Sequence, residues 1–489
     1  MPQDHPTDSG TVPAKATRTA VVVVHGMGEQ LPMDTMYRCV RTVLEKFDGR
    51  GGRRYRHYYS RPERLTDSYE ARRCLAPRIP RNGPALQTQT EVYEYHWSYL
   101  MTDNKLADLV PTTGRLLVRP PWKVPYGLRG AWVLAWLVLA GLAIGAYLIA
   151  RKGVEDWTVA GVVAALLGEG VAAFLVVRIV NWLGGAVTRS FVDVVRYLDR
   201  SPRSYARRRE IRGGMVDLLQ ALHDKERYSR VIVIAHSLGG YIAYDALVSL
   251  WSEMANKHAG PLSDSQSVPL DGLAELEAEA KVLADGGGLT PDGEPAAYRA
   301  AQFRLWQSLR EQGNPWLVTD FVTLGTPMYF ADLLFTRNRT EFETAVRTGV
   351  TPSCPPRASS QKVEDRDAGV GRYGWNNRGR TVLHHAAPFA VTRWTNLFFP
   401  VRAGFFGDWF GGRVAPLFGP GVWDREVLGN KYGRLVPALA HGKYFDYPDD
   451  EDPAGIARVL REVLDLGLED ELAVSRDAPR SLPETDEIR

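Results

Sequence analysis

The chain contains 489 residues, of which 45% are apolar, and it carries a formal net charge of +3 at pH 7. This length suits one large domain with insertions or two domains, and the apolar fraction allows a substantial core. The low net charge, with neither a basic tail nor an RNA-binding aromatic motif, argues against nucleic acid as a partner. The three cysteines show no C-x-x-C spacing and therefore indicate neither a disulfide framework nor a zinc site.

Both ends of the chain are polar and are predicted to be disordered. Residues 1–18 contain no apolar segment of the kind that a cleavable signal peptide requires, and residues 468–489 are acidic. The missing signal peptide and the odd number of thiols together predict a reducing environment for the folded part of the chain.

The first predicted element is a buried strand, Thr19–Val24, which is rich in β-branched residues. It runs directly into a glycine-bearing loop, His25-Gly26-Met27-Gly28-Glu29-Gln30. The apolar spacing over Thr35–Phe47 predicts a helix that packs on a sheet. The alternating pattern of Glu91–Trp97 predicts another strand of the same sheet.

A long apolar stretch follows. Residues 131–150 contain no charged side chain, and at ~1.5 Å per residue a helix of this length crosses a ~30 Å hydrocarbon core. Residues 157–177 are apolar except for Glu169 and Thr158, so the two stretches predict a transmembrane helical hairpin within 126–188. Under the positive-inside rule the basic residues around the hairpin predict that both long arms are cytoplasmic: Arg115, Arg119, Lys123, Arg129, Arg178 and Arg189.

The central motif lies at Val231–Gly240, where four β-branched residues lead into Ala235-His236-Ser237-Leu238-Gly239. The β-branched residues predict a buried strand, and Leu238–Leu250 predicts a helix. A serine at such a tight turn has its hydroxyl pushed out of the sheet, and its neighbours must be small because the turn brings backbones close together. The pattern indicates a nucleophile elbow with alanine in the first position of G-x-S-x-G.

This elbow resembles that of the α/β-hydrolase superfamily, and within it that of serine lipases and esterases. The resemblance implies a mostly parallel sheet with helices on both faces, built from residues 19–125, 189–255 and 314–467. It also implies an oxyanion hole formed by the backbone N–H groups of Met27 and Leu238. Such an enzyme requires no metal and no organic cofactor.

The segment 256–313 contains two amphipathic helical patterns, Leu270–Leu283 and Ala296–Gln312, and no visible strand. Similar hydrolases commonly carry a cap or lid at this place, so we expect a helical cap here, with a decorative insert as the alternative. The strand Leu317–Leu324 then resumes the sheet and ends in Gly325-Thr326-Pro327, as in many lipases.

The resemblance also sets the order nucleophile, acid, histidine along the chain. His441, shortly before a final amphipathic helix at Pro453–Leu466, is the predicted base, and it is preferred to His258, His384 and His385. Asp408 is the predicted acid because it follows the predicted strand Val391–Phe399. The alternative acids are Asp424 and then the cluster between Glu364 and Asp367.

Together these features predict a membrane-anchored serine hydrolase at the cytoplasmic face of the inner membrane, acting on a lipid or acyl ester. Ser237 would attack the carbonyl, while His25, Gly26 and His236 would line the substrate site. An acyltransferase or thioesterase with the same triad, or a catalytically silent membrane scaffold, remains open as an alternative.

Overall fold

The computed structural model describes residues 18–27, 31–44, 46–47, 53–54, 59–62, 65, 72–75, 89–101, 114–151, 194–225, 227–258, 269–357, 373–428, 439–445 and 454–465, apart from gaps of one to three residues inside these ranges. Its strands are β1 (Arg18–Val24), β2 (Lys46–Phe47), β3 (Arg53–Arg54), β4 (Tyr59–Pro62), β5 (Arg72–Leu75), β6 (Gln89–Tyr95), β7 (Arg230–His236), β8 (Val318–Leu324), β9 (Gly374–Asn377), β10 (Arg380–Leu383), β11 (Arg393–Phe398) and β12 (Trp423–Glu426).

The α-helices are α1 (Asp34–Leu44), α2 (Arg129–Arg151), α3 (Pro202–Asp224), α4 (Gly239–Met254), α5 (Leu273–Ala284), α6 (Ala296–Glu311), α7 (Ala331–Leu334), α8 (Arg339–Arg347), α9 (Ala415–Phe418) and α10 (Ile456–Leu464). Helices and strands alternate over much of the chain, which is typical of an α/β fold.

One eight-stranded sheet organises the molecule, in the order β12-β11-β8-β7-β1-β6-β5-β4. The six strands from β12 to β6 are parallel, and β5 and β4 add an antiparallel edge. In the centre, Val22 lies between Tyr93 of β6 and Val233 of β7. Strands in this position are covered on both faces, which explains why β1 and β7 consist of nearly continuous apolar residues.

Helices cover both faces of the sheet. Alternate residues of β1 point in opposite directions, so that Val22 joins the cluster formed with α3 and α4 while Val23 joins the cluster formed with α1 and α10. On one face Leu219 of α3 and Leu247 of α4 are fully buried. The result is a three-layer arrangement of helix, sheet and helix, with the core divided between two faces.

The apolar stretch at 131–150 lies within α2. Its first turns pack on the rest of the domain, where the Trp132 indole N–H donates to Leu116 O over 3.1 Å. Trp132 also borders a buried cluster that includes Val124, Leu128 and Trp409. Beyond this anchored end several apolar side chains of α2 are exposed, among them Val133, Leu137 and Leu139. The apolar composition of the stretch therefore does not specify what the helix contacts.

The predicted transmembrane hairpin is wrong. Within the described ranges, none of the helices has both the length and the apolar character needed to cross a membrane. The second predicted span, at 157–177, lies outside the described residues. The fold class that included the hairpin is corrected accordingly, and the structure supports a mostly parallel α/β sheet with helices on both faces.

The segment predicted to form a cap contains α5 and α6. Their apolar sides contribute Leu276, Leu283, Tyr298 and Leu305 to the same core cluster as α4. The Gln302 side-chain amide also donates to Phe389 O over 2.7 Å, which anchors α6 to the domain. The role of these helices as a lid remains a prediction.

Candidate active site

Ser237 lies at the carboxyl end of β7, and the chain turns there sharply into α4. Its φ is +55°, in the left-handed region that residues other than glycine seldom adopt. The Ser237 N–H donates to Leu324 O over 2.9 Å, which ties the turn to the end of β8. The strand, turn and helix predicted around Ser237 are therefore present, and the serine itself is fully buried.

Two glycines allow neighbouring backbone to approach the turn. A Cβ on Gly239 would lie 2.6 Å from Val24 O, which belongs to the rigid end of β1. A Cβ on Gly26 would lie 2.7 Å from His236 Nδ1 and 2.9 Å from Ser237 Cβ. Glycine at both positions therefore lets the loop after β1 lie directly against the serine.

His441 connects Ser237 to Asp408. It belongs to the 3-10 helix Leu439–Lys443, and its Nε2 lies 2.7 Å from Ser237 Oγ. Its Nδ1 lies 3.0 Å from Oδ1 of Asp408, which is on the loop that follows β11. The structure thus brings the predicted nucleophile, base and acid into one hydrogen-bonded chain.

The Asp408 carboxylate is fully buried and receives hydrogen bonds on both oxygens. The Phe410 N–H donates to Oδ1 and the Tyr444 hydroxyl donates to Oδ2, each over 2.8 Å. Burial alone would raise the pKa of Asp408, but the charge of His441 and these hydrogen bonds hold that pKa below its ordinary value. The carboxylate is therefore ionised at neutral pH and fixes the orientation of the imidazole.

His236 supports the segment that carries His441. Its Nε2–H donates to the backbone carbonyl of His441 over 2.8 Å, and the two rings lie 5.0 Å apart. Burial lowers the pKa of His236 to about 3, so the ring is neutral. The predicted substrate-lining role of His236 is untested, whereas its contact with the His441 backbone is direct.

His25 holds the loop after β1. The Trp97 N–H donates to His25 Nε2 over 3.1 Å, and His25 Nδ1 donates to Gly26 O over 2.9 Å. The His25 and Trp97 rings stack at 4.9 Å, and burial lowers the pKa of His25 to about 3. The ring is therefore neutral and supports the loop that presents Met27, the predicted oxyanion donor.

Leu238, the second predicted oxyanion donor, directly precedes α4. The first backbone N–H groups of a helix have no acceptor within it, so this position suits a group that stabilises negative charge near Ser237. The helix dipole adds to that effect. The oxyanion roles of Met27 and Leu238 remain predictions.

The alternative site residues have other partners. Asp424 accepts hydrogen bonds from the Asn396 amide at 2.7 Å and from Val414 N–H and Ala415 N–H at 2.9 Å each. Burial raises the pKa of Asp424 to about 6. These contacts hold the loop before α9, whereas Asp408 is the carboxylate that contacts His441.

Among the alternative histidines, His384 donates from Nε2 to Arg357 O over 3.0 Å and accepts the Ala386 N–H at Nδ1 over 3.1 Å. Both of its nitrogens are thus hydrogen-bonded to backbone groups. The cluster between Glu364 and Asp367 lies outside the described residues.

Tyr444 is a residue of the candidate active site that was not predicted from the sequence. Its hydroxyl donates to Asp408 Oδ2 and accepts the Phe399 N–H over 2.9 Å, and its ring stacks on Phe399 at 4.1 Å. The side chain is fully buried between the loop of the acid and the loop of the base. Only its position three residues after His441 could have indicated such a role.

In the part of the chain that the structure describes, no group of three or more histidine, cysteine, aspartate and glutamate side chains is arranged to hold a metal ion. The residues around Ser237 form instead a chain of one hydroxyl, one imidazole and one carboxylate. No family model, no curated protein and no solved structure matches this sequence.

Proposed function

We propose that this chain is a serine hydrolase of the α/β-hydrolase type that cleaves a carboxylic ester through an acyl-enzyme. The observation that carries the proposal is the continuous contact from Asp408 through His441 to Ser237, with distances of 3.0 and 2.7 Å. These are the separations that a nucleophile, a general base and an orienting carboxylate require. Ser237 is also held in the left-handed backbone region, and strain of this kind, which costs about 1–3 kcal/mol, clusters at active sites.

In the proposed reaction, Ser237 Oγ attacks the ester carbonyl while His441 Nε2 takes the hydroxyl proton. Asp408 keeps the proton on Nδ1 and stabilises the imidazolium that forms. The N–H groups of Met27 and Leu238 stabilise the negative oxygen of the tetrahedral intermediate. The imidazolium returns the proton to the departing alcohol, which leaves Ser237 acylated.

Water then completes the cycle. His441 accepts a proton from the attacking water, and collapse of the second tetrahedral intermediate releases the carboxylic acid and regenerates the serine. The proton taken from Ser237 goes to the departing alcohol, and the proton taken from water returns to Ser237. The proposed reaction therefore requires no cofactor. The expected specificity for lipid esters depended on the hairpin, so the proposal specifies a carboxylic ester without naming its chain length.

The direct test is labelling with a fluorophosphonate probe together with hydrolysis of p-nitrophenyl esters of increasing chain length. We expect Ser237→Ala to lose both the label and the turnover, while Ser252→Ala, an exposed serine on α4, retains both. Label on the wild type that persists in Ser237→Ala would assign the reaction to another residue. A wild type that neither reacts with the probe nor hydrolyses any ester would support the scaffold alternative.

The same residues would also support acyl transfer to an alcohol or cleavage of a thioester, since only the acyl donor or acceptor differs. Competition experiments separate these reactions. Product analysis in the presence of a primary alcohol reports transfer as a new ester, and parallel assays with matched oxygen esters and thioesters compare kcat/KM for the two donors.

A further inference from the structure

A group of exposed apolar residues lies beside the loop that carries Asp408. It comprises Val118, Trp122, Tyr126, Trp136 and Leu137, and we refer to it as the interfacial surface. Trp122 is 75% exposed and Leu137 is 63% exposed, although both are large apolar side chains. Contiguous exposure of this kind on a folded protein marks a surface that contacts a partner.

Hydrogen bonds and a ring contact connect the start of α2 to the segment 116–128 in the interfacial surface. The Trp136 indole N–H donates to Leu117 O over 3.1 Å, which fastens α2 to the residue next to Val118. Arg129 at the start of α2 donates to Val124 O over 3.2 Å, and its guanidinium lies 5.7 Å from the centre of the Tyr126 ring. The segment 116–128 and the first turns of α2 therefore present their exposed side chains together.

The charge of this region has one sign. From residue 109 to residue 154 the sequence contains no aspartate or glutamate, whereas it contains Arg119, Lys123 and Arg129 among its basic residues. Lys123 lies between Trp122 and Tyr126 in the sequence and is itself exposed. Tryptophan and tyrosine beside lysine and arginine are the residues that bind the headgroup region of a bilayer, with rings at the boundary and cations near anionic lipid.

We infer that the interfacial surface docks on the face of a lipid bilayer that contains anionic phospholipids. The side chains enter the headgroup layer from one side, as in a peripheral protein, and the backbone remains with the domain. Lipid is favoured over a protein partner because the surface combines exposed aromatic rings with the exposed basic side chains Lys123 and Arg129. A second copy of the chain would bring the same positive charges together.

This surface is attached to the loop of the candidate active site. Val124 and Leu128 pack with Trp409, the residue after Asp408, and the Tyr329 hydroxyl donates to Trp409 O over 2.7 Å. Docking therefore holds the loops at the carboxyl edge of the sheet close to the lipid. Delivery of a membrane-dissolved ester to Ser237 would follow, and that consequence rests on the proposed function, whereas the docking does not.

The test is co-sedimentation of the full chain with vesicles of phosphatidylcholine alone or with phosphatidylglycerol added. We expect binding to the mixed vesicles that weakens as salt is raised. Trp122→Ala should weaken it roughly tenfold by removing apolar contact, and Lys123→Gln about fivefold by removing one charge near the surface. Trp375→Ala, which removes a 48% exposed tryptophan outside this surface, should bind like the wild type.

Several results would overturn the inference. These are wild-type protein that stays in solution with both kinds of vesicle, equal loss in Trp122→Ala and Trp375→Ala, and undiminished binding of Trp122→Ala. A dimer in light scattering that Trp122→Ala dissociates would assign the surface to a second copy of the chain. Ser237→Ala should bind vesicles like the wild type, so a failure of docking and a failure of ester hydrolysis are observed separately.

Discussion

The two ends of the central sheet both contain a buried carboxylate, but the carboxylates have different partners. At the carboxyl ends of the strands, Asp408 contacts the imidazole of His441. At the amino end of β6, Glu91 accepts hydrogen bonds from the hydroxyls of Tyr93 and Tyr228 at 3.0 and 2.5 Å, and from Arg227 Nη2 at 3.0 Å.

The difference lies in which proton can move. Arginine remains protonated throughout the pH range of a folded protein, so the Glu91 cluster is an ion pair whose protons stay in place. Imidazole gains and loses a proton near neutral pH, and in the Asp408 cluster it contacts a hydroxyl that can give one. Burial of a carboxylate alone therefore does not distinguish the two clusters, and the proposed function depends on the imidazole that links Asp408 to Ser237.

The largest effect is expected from Asp408→Asn. An asparagine preserves the size of the side chain but favours the wrong tautomer of His441, so that Nε2 no longer accepts the serine proton. We expect kcat for p-nitrophenyl butyrate to fall about 10⁴-fold. Steady-state kinetics measure the change, and circular dichroism verifies that the fold is retained.

Asp424→Asn is the matched control, because Asp424 is a half-buried carboxylate on β12, the strand that pairs with β11. It contacts Asn396 and two backbone N–H groups rather than His441. Its loss should lower the melting temperature while kcat changes less than about tenfold. Equal losses of kcat in the two variants would contradict the assignment of the acid.

The second-largest effect is expected on the pH dependence of stability. It concerns Glu94, which lies three residues after Glu91 on the same strand and is buried. Burial raises the pKa of Glu94 to about 8 from an ordinary value of 4.5, and the charge of Asp34 adds to this shift. Between those two pH values the folded state keeps a proton that the unfolded state has lost. The free energy of unfolding therefore falls as the pH rises through this window.

Glu94→Gln removes that titration. Denaturant unfolding at pH 5 and pH 9 should show a loss of a few kcal/mol for the wild type over this interval and a much smaller loss for the variant. Glu253→Gln, an exposed glutamate on α4, should retain the wild-type slope. A Glu94→Gln variant with the same slope as the wild type would show that Glu94 does not titrate in this range.

The third-largest effect is the loss of kcat expected from Tyr444→Phe. The variant removes the donor to Asp408 Oδ2 and leaves the Phe399 N–H without its acceptor. We expect kcat to fall roughly 10- to 100-fold, which corresponds to the loss of one hydrogen bond to a charged group. Since this hydrogen bond lowers the pKa of Asp408, the acidic limb of the kcat/KM profile should move to higher pH.

Tyr298→Phe provides the comparison for Tyr444→Phe. Tyr298 is also a buried tyrosine, and its hydroxyl donates to Phe389 O over 3.2 Å, within the packing of α6. The variant should lose stability while its pH profile stays unchanged. If Tyr298→Phe moved the acidic limb as well, the effect of Tyr444 would reflect general loosening of the core.

Much of this arrangement was predictable because its signals are local. The β-branched runs that end in His25-Gly26 and before Ser237 predict two buried strands. The observed strands, Arg18–Val24 and Arg230–His236, are longer than the predicted ones, Thr19–Val24 and Val231–Ile234, by one and three residues. The carboxyl ends of parallel strands lie at one end of a sheet, so the loops that follow β1, β7 and β11 come together there. His441 was found through its position before the last amphipathic helix.

The remaining features depend on long-range packing. Asp408 and Asp424 both belong to segments that follow β11 in sequence, and only the path of the loops decides which carboxylate meets His441. Tyr444 has no motif, because a buried tyrosine that binds a distant carboxylate has the same sequence pattern as any core tyrosine. The hairpin was mispredicted because the apolar character of residues 131–150 does not specify what those residues contact.

The smallest effect on catalysis is expected from Tyr228→Phe, close to the amino ends of the strands. The variant removes one of the donors to the buried Glu91 carboxylate, and we expect a loss of about 1–3 kcal/mol in the free energy of unfolding. Because none of the contacts of this hydroxyl involves Ser237, His441 or Asp408, kcat should stay within about twofold of the wild type. Tyr228→Phe and Tyr444→Phe are thus chemically identical changes with similar costs in stability and different consequences for turnover. A Tyr228→Phe variant that lost as much kcat as Tyr444→Phe would show that the Glu91 ion pair and the candidate site are coupled through the sheet. The two carboxylate clusters could then no longer be treated as independent.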